Sequence, residues 1–298
     1  MPTRTPSHAI GGREGVAGRA CSAKLVGVEK PRLIASDVDG TLLSPMEQVT
    51  KRTVETVGRA VEAGSPVVLV SGRPPRWIPR VAEEAGLDGY AVCANGAVVY
   101  DIGADRVVDV HGQLDPMLLH DVAEALDFAI PGCRLAAERI GTKAVDPDVR
   151  TFVIESEYHN PWGDGEGSVT SRAEVLGFPA VKLLVSHKKL TSDEMAMAAR
   201  TVLDGAVDIT FSSGGGLIEL AAHGVTKATG LAGVARRMGV TAEHTIAFGD
   251  MPNDVAMLRW SGHGVAMANG HPLVLDAADE VTAPNSEDGV AQVLERWF

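Results

Sequence analysis

Asp37-Val38-Asp39-Gly40-Thr41 stands directly after the apolar run Leu33-Ile34-Ala35 and just ahead of the turn-rich pair Ser44-Pro45. Alternation along a strand predicts that Asp37 and Asp39 point the same way. Two carboxylates held that close repel each other unless a cation or a shared proton offsets them, so stability does not explain the pair. Gly40 permits an unusual turn or a close approach of the backbone to a ligand.

Around this stretch, short apolar strands alternate with amphipathic helices from Pro31 onward. Leu33-Ser36 reads as a strand, and Thr50-Ala63 as a helix with Val54, Val57 and Val61 on one face, stopped at Gly64. Pro66-Val70 follows as a strand, Arg76-Ala85 as a helix closed by Gly86, and Tyr90-Cys93 as a third strand. The same rhythm returns late in the chain. There Lys227-Met238, Asn253-Trp260 and Glu287-Trp297 read as helices, and Thr245-Phe248, His263-Ala266 and Glu280-Thr282 as strands. Strands and helices in this alternation imply a parallel sheet covered on both faces.

The middle of the chain reads differently. Asn95-Gly96 is a hairpin signal between Tyr90-Cys93 and Ala97-Tyr100. Beyond it come strands at Arg106-Val110 and Arg134-Ala137, separated by a helix at Asp115-Ala129. Ala180-Val185, the helix Ser192-Leu203 and the paired strands Val207-Phe211 and Leu217-Leu220 complete an α+β insert of meander character. The expected division is residues 1–30 as a disordered extension, 31–95 plus 225–298 as an α/β core, and 96–224 as the insert. The turn-rich stretch from Glu155 to Ser168, which contains Trp162, reads as a solvated connection or a mobile loop.

Composition narrows the class. The chain has 298 residues, a formal net charge of -12 and 45% hydrophobic residues, enough to bury a full core. An acidic balance argues against a nucleic-acid partner. Cys21, Cys93 and Cys133 are widely spaced, form no Cys-x-x-Cys pair, and point to a reducing, cytoplasmic setting. No apolar run reaches the length of a membrane span. Residues 1–30 lack the apolar segment of a secretory signal.

Three further segments follow apolar strands or open a helix, and the C-terminal ends of parallel strands share one edge where ligands bind. Ser71-Gly72-Arg73 offers a hydroxyl and a Gly amide to an anion, although Ser-Gly after a strand is commonly just a turn. Lys227 sits at a predicted helix start, where a cation opposes the macrodipole and a phosphate-binding role would justify it. Gly249-Asp250-Met251-Pro252-Asn253-Asp254 clusters acids after Thr245-Phe248. Asp254 is explained as a first-turn acid, whereas Asp250 is harder to dismiss. Carboxylate and carbonyl oxygens around one point suit Mg2+.

Asp-x-Asp-Gly-Thr, then Ser-Gly-Arg, then a lysine, then Gly-Asp-x-x-Asn-Asp, in this order, resemble the haloacid dehalogenase (HAD) superfamily. The insert opened by Asn95-Gly96-Ala97 resembles the type IIB cap of Cof-like sugar phosphatases, and Asn285-Ser286-Glu287-Asp288-Gly289-Val290 their closing segment. The resemblance implies a HAD-like Rossmannoid α/β core with an inserted α+β cap that sets substrate specificity. It implies a Mg2+-dependent phosphatase acting on small phosphomonoesters such as sugar phosphates through an aspartyl-phosphate. Asp37 would be the nucleophile and Asp39 the general acid and base. Mg2+ would bind the Asp37 carboxylate, the Asp39 backbone carbonyl and Asp250. Thr41, Ser71, Gly72, Lys227 and Asn253 would hold the phosphate, with Gly40 and Asp254 in support.

Two other readings compete. Type IIB caps also occur in phosphomannomutases, which return the phosphoryl group to sugar, and receiver modules place aspartates and a lysine at comparable strand ends. Trehalose-phosphate and sucrose-phosphate phosphatases fall within the leading class. An aromatic content of 4% offers no obvious stacking platform. Arg134, Arg139, Lys143 and Lys182 are the insert cations that could meet a second anionic group, and each also reads as a solvated surface charge. His223 is given no role. The expected partner is a small phosphorylated metabolite.

Overall fold

The computed structural model describes residues 29–159, 166–203 and 205–298. The extension expected over residues 1–30 therefore falls almost wholly outside the described residues, as do Trp162 and the centre of its loop.

Two sheets organise the chain. The first runs β14-β13-β12-β1-β2-β3-β4-β5. Its strands are β1 (Leu33–Ser36), β2 (Val67–Val70), β3 (Tyr90–Cys93), β4 (Val98–Asp101), β5 (Arg106–Val110), β12 (Thr245–Gly249), β13 (His263–Met267) and β14 (Glu280–Thr282). The pairs from β14 to β3 are parallel; β3-β4 and β4-β5 are antiparallel.

These strands read as unbroken apolar runs because both faces are buried. Ile34, Leu69 and Phe248 pack with Val57 of α1 (Lys51–Glu62), Ile78 of α2 (Ile78–Ala85) and Val293 of α9 (Gly289–Leu294). Their neighbours Leu33, Ala35, Val68 and Val70 pack on the other face. There they meet Leu231 of α6 (Lys227–Arg237), Met257 of α7 (Val255–Trp260) and Val274 of α8 (Pro272–Ala277).

The second sheet runs β10-β11-β9-β6-β7-β8. It contains β6 (Arg134–Glu138), β7 (Phe152–Glu155), β8 (Ser168–Thr170), β9 (Lys182–Ser186), β10 (Val207–Thr210) and β11 (Leu217–Ala222). One face is sealed by α3 (Pro116–Ala129), α4 (Arg172–Leu176) and α5 (Ser192–Leu203), through Leu126, Val175 and Met195. Glu138, Lys182 and Leu184 lie on the other face, which borders the cavity against the first sheet.

Two expectations need correction. Residues 98–110, assigned above to the insert, extend the first sheet. Val98 and Tyr100 are buried in its core, and the Asn95 turn folds β4 back onto β3. The chain leaves that sheet after β5, near Gly112, and returns near Gly224; both glycines have positive φ. The second sheet is also no simple meander. β9 sits between β6 and β11, and β7-β8 is parallel. β7, β8, α4 and α8 were not foreseen, being short and set among polar residues.

Candidate active site

β1 ends at Ser36, so strand alternation does not extend to the two acids. The backbone turns over Val38–Leu42, with Gly40 at φ 76°. Asp37 goes inward, and the Asp39 side chain remains 53% exposed. A Cβ on Gly40 would lie 2.2 Å from Asp250 Oδ2, so only glycine lets this turn meet the end of β12. Asn269 Nδ2 donates to the Gly40 carbonyl, and Asn285 Nδ2 to that of Leu43. The closing segment Asn285–Val290 thus straps the loop that follows Asp37.

Lys227 opens α6 and is buried, against the usual preference for acids there. Its Nζ donates to Asp37 Oδ1 at 2.5 Å and Asp254 Oδ1 at 2.6 Å. Asp254 Oδ2 accepts from the backbone N–H groups of Asp250 and Met251. Asp250 accepts from Thr41 Oγ1 at 3.2 Å. The carboxylates of Asp37, Asp250 and Asp254 bring oxygens within 4.8 Å of one another.

One ammonium does not balance three buried carboxylates. Burial holds the Asp37 carboxyl well above the usual range, opposed by Lys227 and reinforced by Asp254 and Asp250. Burial and Asp254 likewise push Asp250 up to about 7. Burial alone would lower the Lys227 ammonium, but Asp254 and Asp37 outweigh it and hold it above its ordinary value. The surplus negative charge and hard oxygen donors fit a divalent cation. Both Asp254 oxygens are already engaged, so it braces Lys227 and the turn, leaving Asp37 and Asp250 as the open carboxylates.

The other expected residues separate into two groups. Asp37, Asp39, Gly72 and Asn253 line a cavity of about 580 Å3 between the two sheets. Thr41 and Ser71 are buried behind it: the Thr41 hydroxyl donates to Asp250, and that of Ser71 accepts from the Arg73 N–H. Thr41 therefore orients an acid in this structure.

Several contacts in and beside the cavity escaped the sequence reading. Arg73 forks onto Asp39, at 2.8 Å from Nε and 2.5 Å from Nη2. Asn95, read only as a turn residue, accepts from Asn253 Nδ2 at 3.0 Å and donates to Glu219 at 2.8 Å. Lys182 reaches Glu219 at 2.6 Å and the Gly72 carbonyl at 2.8 Å. Of the four insert cations named above, Lys182 lines the cavity, whereas Arg134 pairs with Glu157 and Arg139 with Glu174. Trp77 and Phe152 also line it, so the low aromatic content was misleading. A count of aromatics carries no information on whether they converge.

The turn at Asn95 fits under α6 only because residue 96 is glycine, with φ 107° and a Cβ position 1.9 Å from the Thr226 carbonyl. Gly96→Ala should displace the helix start that carries Lys227. Strain and overpacking together predict a loss of about 2–4 kcal/mol, measurable by urea unfolding. A native-like midpoint would contradict this packing.

Glu138 gives a pH prediction. Burial raises its carboxyl to about 7, opposed by Arg76 and Lys182 and reinforced by Glu166. A carboxyl raised on folding binds its proton more tightly in the folded state. Its contribution is therefore complete below about 4.5 and lost as pH rises through about 7. The Tm difference between the native chain and Glu138→Gln should shift toward the native chain as pH falls across that window. A pH-independent difference would refute the assignment.

Comparison with known proteins identifies the family. The haloacid dehalogenase-like hydrolase family matches residues 34–294. The chain belongs to the haloacid dehalogenase superfamily. YitU of Bacillus subtilis (strain 168), a 5-amino-6-(5-phospho-D-ribitylamino)uracil phosphatase, is 30% identical over 275 residues, covering 90% of this chain and 98% of the relative. The pyridoxal phosphate phosphatase YbhA of Escherichia coli (strain K12) is 27% identical over 277 residues, covering 88% and 97%. Among solved structures, the HAD subclass IIB sugar phosphatase BT4131 superposes with a TM-score of 0.74 at 22% identity, covering 89% and 98%. As an enzyme the chain stands with the phosphoric monoester hydrolases of this superfamily. HAD hydrolases generally use a divalent metal, and the carboxylate cluster is suited to one. Among the described residues, no helix is long and apolar enough to cross a membrane.

Proposed function

We propose that this chain is a Mg2+-dependent phosphatase that hydrolyses small phosphomonoesters, sugar phosphates among them, through an aspartyl-phosphate on Asp37. The observation that carries this reading is a buried carboxylate, Asp37, that borders the cavity and shares Lys227 with Asp254 while Asp250 lies beside it. Such a group is poised to attack once its negative surroundings are neutralised.

Asp37, Asp250 and the Asp39 carbonyl would hold Mg2+, which when bound supplies charge neutralisation for the phosphoryl oxygens. Lys227 orients the attacking oxygen of Asp37. That oxygen forms a bond to phosphorus as the bond to the leaving oxygen breaks, and Asp39 gives its proton to the departing alcohol. Asp39 then takes a proton from water, which attacks phosphorus and returns Asp37 as a free carboxylate with release of inorganic phosphate. The Arg73 fork occupies both Asp39 oxygens, so it must open before proton transfer. Gly72 and Asn253 border the phosphate position, with Ser71 behind them.

The test is phosphate release from p-nitrophenyl phosphate and a panel of sugar phosphates. Release should require Mg2+, stop with EDTA and return when Mg2+ is restored. Absence of release from every compound would reject the proposal. Isomerised hexose phosphate without free phosphate would replace it with a mutase.

A further inference from the structure

Resting on that reading, we propose that the cavity selects phosphomonoesters whose far end is neutral and rich in hydrogen-bond donors, and rejects those carrying a second anionic group. The cap surface over Asp37 presents Glu138 on β6, Lys182 on β9 and Glu219 on β11; Glu138 and Lys182 are direct cross-strand partners. All three side chains are buried. Among the described residues, the four cations that line the cavity are all paired with carboxylates, Arg80 at the exposed rim with Glu84 at 3.2 Å. Lys182 is bound to Glu219 at 2.6 Å, and Arg76 lies between Glu138 at 2.5 Å and Glu166 at 3.1 Å. Arg73 is forked onto Asp39.

A second phosphate or a carboxylate would have to pull one of these cations from its partner. Drawing Lys182 from Glu219, or Arg76 from Glu138, would leave a buried carboxylate uncompensated, which is strongly unfavourable. The partners of Arg73 and Arg80 are more exposed, so the deep cap end of the cavity carries the selection. Hydroxyl and amine groups face no such obstacle. A carboxylate accepts through two oxygens with several lone-pair sites, so Glu138, Glu166 and Glu219 can receive further donors while keeping their cations. The Arg76 guanidinium lies 5.1 Å from the Trp77 ring and 5.5 Å from that of Phe152, and the two aromatic surfaces give a carbon skeleton apolar walls. The selection is thus partly repulsive.

Sorbitol 6-phosphate and 6-phosphogluconate make a matched pair, differing at the far end as a hydroxymethyl group and a carboxylate. Calorimetric titration of both into the Asp37→Asn protein with Mg2+ measures binding without turnover. Sorbitol 6-phosphate should bind at least about tenfold more tightly. Glu219→Gln in the same background frees the Lys182 charge and should bring the ratio close to one. Glu166→Gln, at a more exposed position, should move it in the same direction by releasing part of Arg76, which keeps the test informative if the buried substitution fails to fold. Equal or tighter binding of 6-phosphogluconate by the unsubstituted cap overturns the proposal, as does a ratio that neither Gln substitution changes. Hydrolysis of p-nitrophenyl phosphate by the native chain reports separately on the phosphatase reading, so the two failures are distinguishable.

Discussion

Asp37→Asn should abolish phosphate release, by about 10^4-fold or more as expected for loss of a nucleophile, while the protein folds as well as before. The two halves of this result have separate causes. Turnover is lost because an amide oxygen cannot form the acyl-phosphate. Stability is retained because Asn is isosteric and removes a charge that the metal-free fold accommodates poorly: Asp37 is held above its usual pKa by burial, Asp254 and Asp250. The amide oxygen still accepts from Lys227. Thermal melts should therefore give a Tm equal to or above the native value without metal, the familiar exchange of stability for function at an active site. Mg2+ should raise the Tm of the variant less than that of the native protein, since one of its carboxylates is gone. A Tm well below native would show that Asp37 serves the fold, and retained turnover would remove it from the chemistry.

Lys227→Met should be the most destabilising single change at the site. Lys227 is 1% exposed and is the cation bonded to both Asp37 and Asp254. Breaking a buried ion pair by removing one partner costs about 3–5 kcal/mol, and for a chain of this size that corresponds to roughly 5–8 °C in Tm. The remaining carboxylates have two ways to recover, and both can be measured. Protonation offsets the lost charge, so the variant should gain Tm relative to native as pH falls. A divalent cation offsets it as well, so Mg2+ should stabilise the variant more than it stabilises the native chain. Phosphate release should fall with the loss of the group that orients Asp37. An unchanged Tm, or one indifferent to both pH and Mg2+, would contradict the charge balance described here.

The core of the fold was legible because burial on both faces leaves a plain trace. Leu33-Ser36, Tyr90-Cys93 and Glu280-Thr282 were expected as strands with the bounds observed, and Ser192-Leu203 as a helix with its observed ends. Short elements of mixed polarity left no such trace, as β8 and α4 illustrate. The boundary of the insert was misplaced for a related reason. An antiparallel hairpin looks the same in sequence whether it extends the core sheet or opens a new one, and only the packing of Val98 and Tyr100 distinguishes the two.

For the site, the sequence by itself pointed to the segments that the fold brings together, because acids, glycine and lysine at strand ends have no simple structural justification. It also marked Gly40 as a special backbone position, whereas Gly96 read only as half of a hairpin signal and its close approach to Thr226 came from the fold. Tertiary structure alone decided how the charges are shared. Asp37 and Asp39 diverge where the strand ends, Thr41 turns to Asp250, and Arg73 and Lys182 are taken up by Asp39 and Glu219. Those partners are far apart along the chain, and a charge shows its function only when the group that neutralises it is known.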